Sequence, residues 1–396
     1  MAAAQKPYVL SAKEMEYGEP FTSITGLREL GDGRVIIADA RDKTVQMVNL
    51  KAGSSTKIGR EGSGPGEYNL PLRLYGFPSD TSVVFDAGNQ RYLTILPDGK
   101  TGKDFRLETP PPAASGRGNG PRISLGGLAI PRGADARGNI YFEGQAFAIG
   151  EDGAPKAADS IPILRYVRAT GKTDTVAYSH PAKNTAQVSG SAGNVRMQIG
   201  GANPLVPRDD WAVLPDGRVA VVRAADYHVD VYGPRKVAGP PAPYEKIRVD
   251  AAVKQMVEDA RQKARSNSIS MTVNSGPGGV QRSTSMGGNN LPPLQPLTDW
   301  PDMMPPFLAQ GTLTGGGVVA RPNGELWVAV AQRPGFKSLM YDVFDGSGKV
   351  IGRVALPPDT RLVGFGNGAV YLVRIDADDL QYLQRYRLPN DVKLNG

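Results

Sequence analysis

Between Lys57 and Pro71 the chain reads KIGREGSGPGEYNLP, with four glycines at positions 59, 62, 64 and 66. A glycine-rich loop cradles phosphate when its backbone N–H groups converge, a Lys-Ser/Thr pair follows, and a helix begins there. None of that follows here. Pro65-Gly66 instead fits the two central positions of a type II turn, and Gly62 and Gly64 permit positive φ. Turn chemistry is the simpler account of the loop. Its charged residues Arg60, Glu61 and Glu67 remain candidates for contacting a ligand or partner.

Two carboxylates, Asp39 and Asp86, each close an apolar run just before a turn. Such a carboxylate accepts backbone N–H bonds in an Asx turn. Alternatively, carboxylates and amides contribute oxygens to a calcium-like ion, which takes six to eight. The residues that would supply them are Asp39, Asp86, Asn89, Glu143 and Asp226, with Gln332 and Asp376 further along. Arg91, Arg208, Arg223 and Arg374 form a second group. Arginine captures carboxylate or phosphate in bidentate fashion, or ties neighbouring segments together. A third group is apolar: DWPDMMPPF (299–307) offers Trp300, Met303, Met304 and Phe307 either as an interface anchor or as a cover for the chain's own surface.

Some chemistry is excluded. The chain of 396 residues has no cysteine and only two histidines, His180 and His228. Disulfides, thiolate nucleophiles and multi-histidine metal sites therefore drop out, and no Ser-His-Asp set is readable. The net charge of +7 favours anionic surroundings. Nucleic-acid binding would need clustered Lys/Arg with interleaved aromatics, which are lacking, so no nucleic-acid partner is expected.

The elements that must position these residues recur. LGDGRVIIADARDKTVQMVNL is echoed by PSDTSVVFDAGNQRYLTILPDGK, by ARGNIYFEGQ with PILRYVRATGK, by LPDGRVAVVRAADYHVDVYG, by RPNGELWVAVA with SLMYDVFDGSGK, and by GFGNGAVYLVRIDADDLQYLQRYRL. Each unit is a Gly-containing turn, a β-rich strand, a second turn and a strand of period two. Most add a fourth strand, and four antiparallel strands make a propeller blade. The sixth unit runs out of chain after three. PYVLSAKEMEYG at the N-terminus is predicted to complete it, closing the ring as a single all-β domain over 1–396. Gly 49 and Pro 33 suit so many turns.

GREGSGPGEY followed by FDAGNQRYLTILPDG resembles the NHL-repeat class of six-bladed β-propellers. Asp86, Asn89 and Arg91 match its D-x-x-N-x-R pattern. DWPDMMPPF and YDVFDGSGKVIGRVALP are similar to bacterial six-bladed propellers of exported type. The resemblance spans nearly the whole chain but is specific only in the first two units. It implies a binding platform and leaves the activity open, because propellers host enzymes and scaffolds alike.

With strands counted from the axis outward, the links from one blade's fourth strand to the next blade's first are long: roughly 60–72, 108–122, 180–208 and 250–311. The first-to-second links, such as LPDGR, are terse. Insertions thus accumulate on one face, where binding is expected. The insert 250–311, between blades four and five, divides into a helix at about 250–265, with Val253, Met256, Val257 and Ala260 on one side, and a Ser/Gly-rich part, 266–291, too polar to fold alone.

The leading expectation is a non-catalytic scaffold that binds protein through this face, as an accessory subunit of a membrane-associated complex, with no cofactor. The alternatives are a metal-dependent hydrolase of the lactonase type with an axial ion, which the resemblance makes calcium-like, and a carbohydrate- or peptide-binding envelope module. Ala2-Ala3-Ala4-Gln5 resembles the small-residue end of an export signal and favours a periplasmic location. Met1, as a native start, favours the cytoplasm.

Overall fold

A computed structural model describes residues 6–107, 130–144, 147–149, 155–182, 186–191, 194–199, 203–265, 269–276, 279–286, 294, 296–309 and 317–388. Six antiparallel sheets form the six blades. Blade one is Ile24–Glu29, Val35–Asp39, Thr44–Asn49 and Ser54–Lys57. Blade two is Pro71–Gly76, Ser82–Asp86 and Arg91–Ile95. Among the described residues its fourth position holds only the isolated bridges Tyr92 to Phe105 and Ile95 to Thr101. Blade three is Pro131–Ala134, Ile140–Glu143, Ile161–Val167 and Lys172–Ser179. Blade four is Asp210–Val213, Val219–Arg223, His228–Tyr232 and Val237–Ala238. Blade five is Val318–Ala320, Leu326–Ala329, Met340–Phe344 and Val350–Ala355, and blade six is Thr360–Gly366, Ala369–Ile375 and Gln381–Arg387.

The N-terminal segment closes the ring. Lys13–Glu16 runs antiparallel to Gln381–Arg387, with Glu16 opposite Gln384, and so completes blade six. One addition goes beyond the repeat pattern: Tyr8–Val9 lies parallel to Val354–Ala355 as a fifth strand of blade five. The same short segment thus joins two blades. First strands of successive blades adjoin around the axis, from blade six through blade one to blade five.

Local chemistry explains the rhythm. In the PDG turn of blade four, Asp216 accepts the N–H of Arg218 at 3.0 Å, and Gly217 sits at φ +88°, a conformation that strains any residue with a Cβ. Asn323-Gly324 repeats this in blade five, with Gly324 also at φ +88°. Strand residues then alternate between the two faces of their sheet. Six apolar clusters result, one at each junction of neighbouring blades. Tyr227 and Phe344 meet edge to face between blades four and five, and Trp327 meets Phe365 between blades five and six.

The insert before blade five begins with a helix, Ala251–Arg265. Asp250 caps it by accepting the N–H of Val253 at 2.9 Å. Val253 and Val257 pack on Leu205, Ile247 and Met304, so the apolar side of the helix is buried against its own propeller. Near its far end, Lys263 pairs with Asp379 of blade six at 3.0 Å.

The Ser/Gly-rich part departs from its composition. Ile269–Gly276 and Gly279–Met286 pair in register as a hairpin. The alternation Ile-Ser-Met-Thr-Val-Asn carries the period of a strand, which the high Ser and Gly content obscures. A second hairpin, Ala186–Ser191 with Asn194–Ile199, arises in the link between blades three and four. Its strand Asn194–Ile199 lies beside Ile269–Gly276. The predicted long link at 108–122 lies outside the described residues. Among those described, no helix is long and apolar enough to cross a membrane.

Candidate functional site

Links from second to third strands and from fourth to first strands emerge on one face of a propeller blade, and most of the residues singled out by sequence lie there. The glycine-rich loop is built as a closed turn. Glu67 N–H donates to the Gly64 carbonyl at 3.2 Å across Pro65-Gly66, and Gly66 sits at φ +72°, as a type II turn requires. The Gly64 N–H donates to Glu67 Oε2 at 2.7 Å, and Glu67 Oε1 accepts from Arg60 Nε at 2.7 Å. Arg91 Nη2 donates to the carbonyls of Gly64 and Glu67 at 2.7 and 2.8 Å. These groups are committed within the chain, so the loop presents no anion cradle. Glu61 pairs with Lys43.

The carboxylates named as oxygen ligands are separated and occupied. Asp39 Oδ2 accepts the N–H groups of Thr22 and Ser23 at 2.8 and 2.9 Å, and Oδ1 those of Arg41 and Asp42, both at 3.0 Å. Asp86 does the same for Asn69 and Leu70 and also accepts from Asn89 Nδ2 at 2.7 Å. Both act as staples that tie the end of a blade's second strand to the approach of its first. Glu143 Oε1 accepts from Trp211 Nε1 at 2.7 Å and Arg132 Nη1 at 3.2 Å. Asp226 pairs with His228 Nδ1 at 2.6 Å on the surface. Among the described residues no three His, Cys, Asp or Glu side chains gather where they would hold a metal ion.

The arginines do not assemble into one patch. Arg91 is buried in blade two and pairs with Asp104 at 3.0 Å. Arg223 is bound by Asp209 at 2.6 Å and Asp230 at 2.8 Å. Burial disfavours its charge, but the hydrogen bonds to those carboxylates win and raise its pKa. Arg374 pairs with Glu16 at 2.9 Å and lies 4.3 Å over the Tyr382 ring. His180 Nδ1 joins Asp209 at 2.8 Å.

The apolar segment 299–307 turns largely inward. Phe307 is 1% exposed and stacks on Tyr227. Met304 is buried beneath the helix, and Trp300 packs there too, donating Nε1–H to the Leu297 carbonyl at 2.9 Å. Of its large apolar side chains only Met303, 46% exposed, faces outward. The segment anchors the insert to blades four and five of this chain. Phe307→Ala should therefore lower stability by about 3–5 kcal/mol, read as a fall in the urea midpoint at unchanged slope.

Sequence reasoning named Arg208 and Glu143 singly but missed Arg73, Arg132 and Asp210, with which they cluster at the inner ends of blades two to four. Arg73, Arg132 and Arg208 lie on or just before first strands. Arg132 is engaged by Glu143, by Asp210 Oδ1 and, at 3.1 Å, by the Trp211 carbonyl, with its guanidinium 4.8 Å over the Trp211 ring. Arg208 Nη2 donates to the Ala309 carbonyl at 2.6 Å. Arg73 differs: its Nε and Nη2 are buried with no hydrogen-bond partner, and so is Asp210 Oδ2. Burial lowers the pKa of both Arg73 and Arg208, yet arginine remains charged. A fourth arginine, Arg361, occupies the same level of blade six and donates to the Ile24 carbonyl and Gln381 Oε1, each at 3.1 Å. The available signal was positional: PLR, PR and TR open three of the six first strands, and aligning the repeats shows the column.

No family model matches the chain, and no curated protein does. Solved structures show similarity of overall shape. A candidate exported protein of Bacteroides fragilis is 12% identical, with a TM-score of 0.46, over 98% of this chain and 95% of its own. A luciferin-regenerating enzyme is 13% identical, with a TM-score of 0.42, over 96% of this chain and 97% of its own. A gluconolactonase of Xanthomonas campestris is 11% identical, with a TM-score of 0.40, over 98% of each chain. The blade count rests on this chain's own sheets.

Proposed function

We propose that this propeller is a non-catalytic binding protein that presents its insert-bearing face to a protein partner, as a scaffold or accessory subunit of a larger, membrane-associated assembly outside the cytoplasm. The observation that carries the reading is the pairing of two inserts. Hairpins from two separate inter-blade links stand side by side on one face, through Asn194–Ile199 and Ile269–Gly276. An isolated two-stranded hairpin is marginal in water, and its free edges are ready to pair with an incoming strand. The same face exposes apolar side chains around blade five: Met303, and Phe336 at 62%.

The geometry weighs against the hydrolase reading. An axial cation would sit among Arg73, Arg132 and Arg208, and the carboxylates nearest to it already serve Arg132. Like charges at that range repel.

Replacing residues 266–291 by a short Gly-Ser linker tests the proposal. The propeller should melt within a few degrees of the parent, because its six inter-blade clusters are untouched. Native purification followed by mass spectrometry should then lose a partner that the full chain retains. A partner set identical for both chains would overturn the reading.

A further inference from the structure

We propose that the inner ends of blades two, three and four form a binding site for a small hydroxycarboxylate, held by Arg73 and Asp210. The proposal does not rest on the partner reading, although Arg208 also holds the insert through the Ala309 carbonyl.

The argument begins with the two unpartnered atoms of Arg73. Nε and Nη2 lie along one edge of the planar guanidinium, the edge that takes both oxygens of a carboxylate in parallel hydrogen bonds. Both are buried and unpaired. A buried polar atom without a partner marks a missing group. A side-chain hydrogen bond with Tyr75 engages the Arg73 guanidinium but leaves Nε and Nη2 without a partner. Asp210 Oδ1 is taken by Arg132 and by the Trp211 N–H, Glu143 by Arg132 and Trp211, and the Tyr75 hydroxyl donates away from the site to the Pro131 carbonyl at 2.7 Å.

Charge sets the valence of the guest. Three guanidinium groups, of Arg73, Arg132 and Arg208, share this region with two carboxylates, of Asp210 and Glu143. One negative charge is lacking. A monoanion balances the cluster, whereas a dianion such as hydrogen phosphate overshoots it beside Asp210. The free oxygen of Asp210 adds a second requirement. Oδ2 is buried and accepts nothing, so it calls for a hydrogen-bond donor on the guest. A hydroxyl next to the carboxylate satisfies it without changing the charge. An ammonium group would restore the imbalance by making the guest neutral.

Thermal shift and titration calorimetry on the full chain, in chloride buffer, test this with glycolate and L-lactate as probes, and with acetate, glycine and inorganic phosphate as comparisons. Glycolate or L-lactate at millimolar concentration should raise the melting temperature by several degrees and bind at one site per chain. Acetate should bind at least about tenfold more weakly, for want of the donor, and glycine and phosphate more weakly still. Arg73→Met should abolish the hydroxycarboxylate shift while melting at or above the unliganded parent, because a buried unpaired charge has been removed. Arg73→Lys should keep the charge, lose the fork and bind at least about tenfold more weakly. Four results would overturn the site: no shift with any carboxylate, a shift that survives Arg73→Met, acetate matching glycolate, or phosphate exceeding it. The first would mean that water alone meets Arg73 Nε and Nη2.

Discussion

Deleting residues 1–16 should destroy the cooperative ring rather than trim its end. Lys13–Glu16 is the fourth strand of blade six, and Tyr8–Val9 the fifth of blade five. Leu10, between them, is 1% exposed in the cluster joining those two blades. Its burial contributes roughly 1.5–3 kcal/mol. Glu16 accepts from Arg374 and Gln384 at 2.9 and 2.8 Å, and losing those charged hydrogen bonds costs about as much again. The sum, about 3–6 kcal/mol, reaches the lower end of a typical domain stability of about 5–15 kcal/mol. The deletion also bares the strand Gln381–Arg387 as an open edge. The truncated chain should melt more than about 10 °C lower, without coincident circular dichroism and fluorescence transitions, and should associate on a sizing column. A cooperative melt at the parental temperature would show that the ring closes by other contacts.

The closure should also respond to acid. Burial disfavours the Glu16 carboxylate, but hydrogen bonds from Lys13, Gln384 and Arg374 outweigh it and lower its pKa from 4.5 to about 2. A carboxyl with a depressed folded pKa contributes stability above its unfolded value and loses it on protonation. The contribution is therefore complete above about pH 4.5 and fades as pH falls towards about 2. Glu16→Gln should flatten the melting-temperature profile in that window.

Sequence patterns and structure agree where one strong local signal dominates. Asp/Asn-Gly turns announce the first strand pair of blades one, four, five and six, and the missing strand of the sixth repeat points to Lys13–Glu16. Tyr8–Val9 was not legible, because a two-residue pairing leaves no period. The hairpin at 269–286 was hidden by Ser and Gly, which argue against a core but not against a ladder. Phe307 and Met304 looked available to a partner because prolines flank them. Only the packing of Tyr227 and of the helix shows that they are used internally. The inner arginines are the clearest case. On a half-exposed strand an arginine reads as a solvated residue, and its burial follows from six first strands meeting around an axis. That is a property of ring closure, which no local window contains.

Asp39→Ala should be among the most destabilising single substitutions in the chain, costing about 3–5 kcal/mol. Four N–H groups converge on this carboxylate, those of Thr22 and Ser23 from the link entering blade one and those of Arg41 and Asp42 from the turn that follows it. Alanine removes every acceptor at once and leaves the Ser23 N–H in a buried setting. Asparagine retains one carbonyl oxygen and should lose about half as much. Chemical denaturation of the three proteins measures the series. The same experiment separates the two meanings open to an aspartate at the end of a blade's second strand. As a structural staple, Asp39 has both oxygens filled by protein, so millimolar calcium should leave the midpoint of the parent unchanged. As an ion ligand it would have to release those four N–H groups, and the parent would gain stability with calcium while Asp39→Ala would not. The staple geometry recurs at Asp86, which holds Asn69 and Leu70 in the same way. Recurrence in successive blades is what a device for fastening one strand to the next requires, whereas a single axial ion needs its ligands to converge from different blades.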